Sequence, residues 1–405
     1  MLRTAVQAFY IFVKILAVYF AVISVFAFAR TRRLPEPKKR LRFAVLVPAR
    51  NEERCVAGIV ESIKNQRYSG PPADIYVIPN NCSDCTEEAA RRAGAQILRV
   101  SENVRSKGAA LHEAMALLAD DSRFDAFCVF DADNEADEGF LEAMNRTLCA
   151  GANVAKSRIL SKNRRQSWVC ACYDIYFCIA NQFLNRARGN LGMSARLIGT
   201  GFAVNREFLR SIGGWNTETI TEDAEFYAQC AIRGEKIAYC EGAVTYDEEP
   251  LDFATSLVQR KRWMSGVMQV AQQKAPQLAR GLKRTRSFLT CFDASVQFAF
   301  LYIQAFLPFL LLVSLALDPA SVLRSLPLSL ALGYGGGLLN AVLALALERR
   351  LSKDMLPGIL MYPLFLASFI LLQTVSLFLR TERWRETLHT GVRLRVGERA
   401  RIAVP

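Results

Sequence analysis

The chain has 405 residues, of which 52% are apolar, and a formal net charge of +13. That length implies two or three structural units, and apolar residues massed at the two ends weigh against an ordinary soluble globule. Nucleic acid is not the expected partner of the positive charge, because no stacking platform or nucleic-acid motif accompanies the basic residues.

Ala5 to Ala29 carries one charge, Lys14, and is long enough to cross a bilayer, which takes about 20 apolar residues. It lacks a small-residue cleavage site and is followed by basic residues, which suits a retained anchor better than a signal peptide. Arg30 to Arg42 holds seven basic residues and one acid. The positive-inside rule puts this segment and the polar middle in the cytosol, with the bacterial inner membrane as the expected location.

The polar middle alternates between strand and helix patterns. Phe43–Val47 is a continuous apolar run stopped by Pro48, and a helix is expected over Glu52–Asn65. Asp74–Ile78 reads as a second strand, and Glu87–Ala93 as an Ala-rich helix ended by Gly94. Gln96–Val100 is a third strand, Gly108–Ala119 a helix and Ala126–Phe130 a fourth strand. This alternation predicts a mostly parallel sheet with helices on both faces. Ser167–Met193 is rich in aromatics at helical spacing. It reads either as a helix packed on the sheet or as an interfacial helix lining an acceptor path. Ala224–Ile232 has a helix pattern, and Gly266–Arg286 reads as a second interfacial helix that Pro276 would bend or split.

Three uncharged runs follow: Ala294–Leu317, Ser325–Leu347 and Met355–Leu379. Four crossings would leave both chain ends outside. Yet Arg380–Pro405 carries seven Arg against three Glu, which favours the inside. One C-terminal segment is therefore a candidate for a re-entrant or interfacial helix, and Leu332–Asn340 is the weakest span because of its glycines. The expected organisation is an anchor and basic linker (1–42), an α/β catalytic domain (43–265), an interfacial region (266–290), three transmembrane helices (291–379) and a basic tail (380–405).

In a sheet of this kind, ligands bind beyond the carboxyl ends of the strands. The loops Pro48–Glu52, Asn80–Asp84 and Asp131–Asn134 should converge there. Cys82 and Cys85 form a C-x-x-C, but zinc needs a second ligand pair, and the histidines are only His112 and His389. The sequon Asn81-Cys82-Ser83 has no meaning on a cytosolic face. Asp131 and Asp133, two residues apart after a strand, suit a hard cation that bridges protein and phosphate oxygens. An acidic residue such as Glu222 or Asp223 also complements a helix dipole. In Gln259–Trp263, arginine offers diphosphate a planar fork of donors, and the indole of Trp263 offers a sugar ring an apolar face.

The stretches "PARNEE", "NNCSDCT", "SKGAAL", "DADN", "GTGFAVNR", "TEDAEF" and "QRKRW" follow one another in this order. Together they resemble the membrane-bound family 2 glycosyltransferases, which include the cellulose, hyaluronan and chitin-oligosaccharide synthases. The likeness covers about Phe43 to Trp263 and extends to the flanking helices. It implies a Rossmann-like GT-A domain with about four transmembrane helices, one N-terminal and three C-terminal. It also implies a UDP-sugar donor, Mg2+ or Mn2+, and inversion at the anomeric carbon.

Carried over by motif, Pro48, Ala49, Asn51 and Glu52 line the uridine pocket, with Asn80 and Asp84 near the base or ribose. Asn80 stands where related sequences often have Asp, which leaves Asp84 as the carboxylate of that loop. Lys107 approaches the nucleotide, and Asp131 and Asp133 bind it through the metal. Gly199, Thr200, Gly201, Glu222 and Trp263 shape the acceptor site, Asp223 is the general base, and Gln259 and Arg262 hold the diphosphate. "QRKRW" favours a processive polysaccharide or oligosaccharide synthase. The alternative is transfer of one sugar to a membrane lipid, as in ceramide glucosyltransferases. Sugar, linkage and oligomeric state have no signature in the sequence.

Overall fold

A computed structural model describes residues 1–379, 381 and 390–394. The remainder of the basic tail and His389 lie outside the described residues. The first helix is α1 (Leu2–Val25). The catalytic domain then runs through β1 (Phe43–Ala49), α2 (Val56–Lys64), β2 (Asp74–Pro79), α3 (Thr86–Ala93), β3 (Gln96–Ile97), α4 (Lys107–Leu118), β4 (Ala126–Val129), β5 (Glu135–Ala136), α5 (Phe140–Cys149) and β6 (Val154–Ser161). It continues with α6 (Trp168–Ile179), α7 (Ala187–Asn190), β7 (Phe202–Asn205), α8 (Arg206–Ser211), α9 (Glu222–Arg233), β8 (Ile237–Asp247) and α10 (Phe253–Gly281). Three long helices follow: α11 (Phe288–Leu317), α12 (Pro319–Leu347) and α13 (Leu356–Phe378). α1, α11, α12 and α13, with their short flanking turns, are long and apolar enough to cross a bilayer.

The strands form one sheet in the order β3-β2-β1-β4-β7-β6-β8-β5. β1 pairs in parallel with β2 and β4, and β2 with β3, as the alternating pattern predicts. Beyond β4 the sheet is mixed. β7 runs antiparallel between β4 and β6, β6 and β8 are parallel, and β5 closes the edge antiparallel to β8.

Local differences from the sequence reading have local causes. β1 runs past Pro48 to Ala49, because β4 pairs only as far as Leu46 and proline's missing N–H breaks no ladder bond there. The third strand shrinks to Gln96 and Ile97 at the sheet edge. Gly94 ends α3 with a φ of 95°, the left-handed conformation expected of it. α10 is one helix from Phe253 to Gly281 with Pro276 inside it, so "QRKRW" and the second interfacial segment share one element. The boundary drawn at 265/266 falls in its middle.

Ser167–Met193 becomes α6, a π-helical turn over Ala180–Arg186, and α7. Nearly all of α6 is buried, because it packs on β6 and beneath α12 and α13. One core lies between the sheet and α2, α3 and α5. The other is continuous from the opposite sheet face through α6 and α9 to Phe298 of α11, Ala341 of α12 and Phe365 of α13.

Buried ion pairs tie the catalytic domain to the apolar helices. Arg188 of α7 meets Asp293 of α11 at 2.9 Å. Arg350, after α12, meets Asp174 of α6 at 2.8 Å, and Arg158 of β6 meets Glu348 at 3.3 Å. Removing one partner of such a pair leaves a buried charge uncompensated, at a cost of about 3–5 kcal/mol. Asp293→Ala is therefore expected to lower the thermal midpoint of the detergent-purified protein sharply. A change of only a degree or two would show that Arg188 finds water or another acceptor.

Candidate active site

The carboxyl ends of β1, β2 and β4 share one edge. There they meet the start of α4, the Ser194–Thr200 loop, the start of α9 and the first half of α10 around a cavity of about 450 Å³. Pro48, Ala49, Glu52, Asn80, Lys107, Asp131, Asp133, Gly199, Thr200, Glu222, Asp223, Gln259, Arg262 and Trp263 all line it. Residues up to 215 positions apart in sequence (48 to 263) are thus brought to one wall.

Lys107 organises the acidic side. Its Nζ lies 2.6 Å from Asp131 Oδ1 and 2.8 Å from Glu222 Oε1. Ser106 sets the lysine at the first turn of α4, since its Oγ accepts from Ala109 N at 3.1 Å. Burial opposes the ammonium, but the Asp131 and Glu222 carboxylates outweigh it and hold Lys107 above its ordinary range. Burial lifts the Glu222 carboxyl; Lys107 pulls it back and neighbouring Asp223 lifts it further. Glu222, Asp223 and Glu225 occupy the first turn of α9, where the helix dipole favours negative charge.

Asp223 is positioned by backbone. Its Oδ2 accepts from Gly199 N at 2.6 Å, while Gly199 O faces Lys107 Nζ at 3.4 Å. Gly199 has a φ of 59°, so the turn that aims this peptide suits glycine. Thr200 and Asn134 brace the other carboxylate: both accept from Asp131 N, at 2.9 and 3.1 Å, and they bond to each other. Asn134 Nδ2 in turn donates to Asp247 Oδ1 at 2.7 Å.

In α10, Gln259, Arg262 and Trp263 stand at i, i+3 and i+4 and so share the face toward the cavity. Gln259 Oε1 accepts from Tyr173 Oη at 2.7 Å, and the Tyr173 ring meets Trp263 edge-on at 5.9 Å. Arg260 points the other way. It donates to Phe365 O and Ser368 Oγ of α13 and lies 4.0 Å over the Phe365 ring. Arg262 has no hydrogen bond or ion pair to any described residue. Burial pushes its guanidinium down, and the nearby Glu222, Asp131 and Asp223 charges resist.

Three expected site residues lie off the wall. Asp84 is committed to the fold: Oδ1 accepts from Thr86 N and Oδ2 from Glu53 N, both at 3.1 Å, which ties the loop after β2 to the loop after β1. Asn51, at a φ of 55°, accepts from Ser83 N at 2.7 Å across the same junction. Gly201 sits behind Thr200, where a Cβ would come within 3 Å of Thr245 and Ser157. Cys82 and Cys85 are free thiols in this loop, so the C-x-x-C is part of its framework.

The sequence reading passed over other wall residues. Asp247 ends β8 and Glu248 follows it, and an acidic run at a strand end was the available signal. Glu248 is held by Lys162 at 3.3 Å, by Thr390 N at 2.6 Å and by Val392 N at 3.2 Å, so the 390–394 segment returns to the rim of the cavity. Arg196, on the loop before β7, also lines the cavity and carried no motif.

Residues 40–266 match the sequence model described as "Glycosyltransferase like family 2". The chain is 26% identical over 277 residues to the probable glycosyltransferase YdaM of Bacillus subtilis, covering 64% of each. It is 28% identical over 257 residues to a beta-monoglucosyldiacylglycerol synthase of Trichormus variabilis, covering 59% of this chain and 52% of that one. It therefore spans less than two thirds of these relatives' length. Among solved structures, the mannosyltransferase PcManGT from Pyrobaculum calidifontis, in complex with GDP-Man and Mn2+, superposes with a TM-score of 0.63. At 16% identity it covers 93% of this chain and 99% of that one, so the GT-A fold and its helical flanks are shared.

Lys107→Met would leave Asp131 and Glu222 facing the cavity without their common counter-charge. Turnover is expected to fall by about 10²-fold or more, the scale on which one preorganised charge acts. Steady-state UDP release measures this, and a loss below threefold would show that the acids are held by other contacts.

Proposed function

The chain belongs to glycosyltransferase-like family 2, and from that membership we propose an inverting hexosyltransferase that moves a sugar from a UDP-sugar to a lipid acceptor presented from the bilayer. The observation that carries this is the mixed lining of one cavity: a polar set, Asp131, Asp133, Lys107 and Arg262, and an apolar set, Tyr176, Phe177, Leu184, Leu197 and Ile198. A nucleotide diphosphate suits the first and an acyl or prenyl chain the second. The catalytic domain is placed on the cytosolic side of a bacterial inner membrane.

The chemistry follows from the side chains. Asp223 accepts the proton of the acceptor hydroxyl as the oxygen attacks the anomeric carbon. The bond from that carbon to the diphosphate breaks in the same displacement, UDP leaves, and the configuration inverts. Arg262, which has no hydrogen bond or ion pair to any described residue, takes the diphosphate through its fork of donors. Lys107 keeps Asp131 and Glu222 fixed, and Trp263 gives the sugar an apolar face.

Asp131 and Asp133 offer hard oxygen ligands to the open cavity. Among the described residues no group of three or more His, Cys, Asp and Glu forms a complete cage. Such a partial set fits Mg2+ or Mn2+, which draw remaining ligands from phosphate and water; PcManGT is in complex with GDP-Man and Mn2+. When bound, the cation offsets the charge of the leaving diphosphate.

A processive glycan synthase is the second reading. It is supported by Gln259, Arg262 and Trp263 facing the cavity together, the motif that processive members carry, and by a 25% identical relative, putative cellulose synthase 2 of Komagataeibacter xylinus. A donor screen with metal across several UDP-sugars identifies the sugar, and product length separates one lipid-linked sugar from a ladder. Asp223→Asn is expected to cut transfer by about 10²–10⁴-fold while UDP binding, followed by calorimetry, persists. Equal loss of both would make Asp223 a donor ligand or a structural residue.

A further inference from the structure

Arg196 has no role in the chemistry above. Its backbone is clamped, with N donating to Asn185 Oδ1 at 2.9 Å and O accepting from Asn185 Nδ2 at 3.2 Å. Its guanidinium has no hydrogen bond or ion pair to any described residue. Arg262, like Arg196, has no such partner and is assigned to the diphosphate above, whereas Lys107 is engaged with Asp131 and Glu222, Lys162 with Glu248, Lys274 with Glu225, and Arg105 with Asn81. Arg196 lines the same cavity as Tyr176, Leu184 and Ile198. Its charge acts on the buried hydroxyls of Tyr176 and Tyr227.

Arg196 is partly buried and without a counter-ion among the described residues, and a ligand that brings negative charge would supply one. Arg196 and Gly199 belong to one loop, three residues apart, so they are separated by no more than about 11 Å. Gly199 N is the group that holds Asp223. Resting on the lipid-acceptor reading, we propose that the acceptor carries a phosphate between its apolar tail and the attacking hydroxyl. The phosphate sits on the Arg196 fork, the tail on Tyr176 and Leu184, and the hydroxyl at Asp223.

The test uses the full chain in detergent micelles, with UDP-glucose and UDP-N-acetylglucosamine in parallel, reading radiolabel transferred to lipid. The arms are dioleoylglycerol, which has no phosphate, dioleoyl-phosphatidylglycerol, and a prenyl-diphosphate-linked sugar. At least tenfold higher kcat/KM is expected for one phosphate-bearing acceptor over dioleoylglycerol, and which one responds identifies the source of the phosphate. Arg196→Gln should remove that preference, and Arg196→Lys should recover part of it with the thermal midpoint unchanged. Preference for dioleoylglycerol, or a phosphate preference that survives Arg196→Gln, overturns this inference alone. Sugar transfer to soluble glycan and to none of the lipids overturns the lipid-acceptor reading itself.

A separate set of contacts bears on membrane crossing. α1 and α11 run antiparallel. Arg3 Nη2 meets Leu317 O at 3.1 Å at one end, and Tyr19 meets Asp293 at 2.7 Å beside Arg188 at the other. α12 returns from Pro319 to Glu348 and Arg350 on the catalytic domain. α13 packs on that domain along its length, and also on α11 and α12. Gly358 O lies 3.5 Å from Cys172 Sγ, Phe369 stacks on Tyr176 at 5.4 Å, and Ser376 Oγ meets Ser265 Oγ at 3.2 Å. Thr390 and Leu394 then bond Glu248 and Glu135.

We infer that the chain crosses the bilayer three times, with α13 lying along the interface and its exposed Leu364, Leu371 and Phe378 facing lipid. The basic tail then shares a side with Arg30–Arg42, as the positive-inside rule asks. Site-resolved labelling of intact spheroplasts and inverted vesicles with an impermeant maleimide tests this. The exposed native Cys85 and Cys149 mark the catalytic domain. A cysteine appended after Pro405 should label with them, and Asp318→Cys should label from the opposite side. Labelling of the appended cysteine together with position 318 would restore four crossings.

Discussion

The site depends on one lysine holding two carboxylates that would otherwise repel. Asp131 opens the DADN loop after β4 and Glu222 begins α9, more than ninety positions later (131 to 222), and Lys107 Nζ lies within 2.8 Å of both. The carboxylates hold the Lys107 proton, and the lysine fixes their spacing. Gly199 links this cluster to Asp223, since its C=O faces Lys107 and its N–H donates to Asp223. The charges of the site are thus in place before any ligand binds, which is the condition under which electrostatic stabilisation is most effective.

The catalytic domain and the apolar helices fold as one object. The core on one sheet face runs without a break into α11, α12 and α13, and ion pairs at Arg188, Arg350 and Arg158 set the register of the two parts. Buried pairs of this kind add little net stability over apolar packing, but a mispaired arrangement would strand a charge. α10 shows the same division of labour within one helix. Gln259, Arg262 and Trp263 face the cavity, while Arg260 on the opposite side holds α13.

Much of this was legible in the sequence because the chemistry sits at strand ends. Short apolar runs followed by polar loops placed β1, β2 and β4, and Asp131, Asp133, Lys107, Asp223 and Arg262 all proved to share one cavity. What stayed hidden depended on partners remote in sequence. Asp84 looked like a ligand until its oxygens were found on Thr86 and Glu53. β7 has four residues and no alternation to mark it, and only its place between β4 and β6 makes it a strand. Pro276 suggested a break, yet α10 continues through it. Arg196 carried no motif at all, because its distinguishing feature is a guanidinium with no partner among the described residues.

The most direct measurement is a cryo-EM structure of the full chain in a lipid nanodisc with UDP and Mn2+. The account predicts the diphosphate between Asp131, Asp133 and Arg262, with Asp223 across the open space where the sugar would stand. Density for the nucleotide at another edge of the sheet, or a diphosphate out of reach of both Asp131 and Arg262, would contradict it.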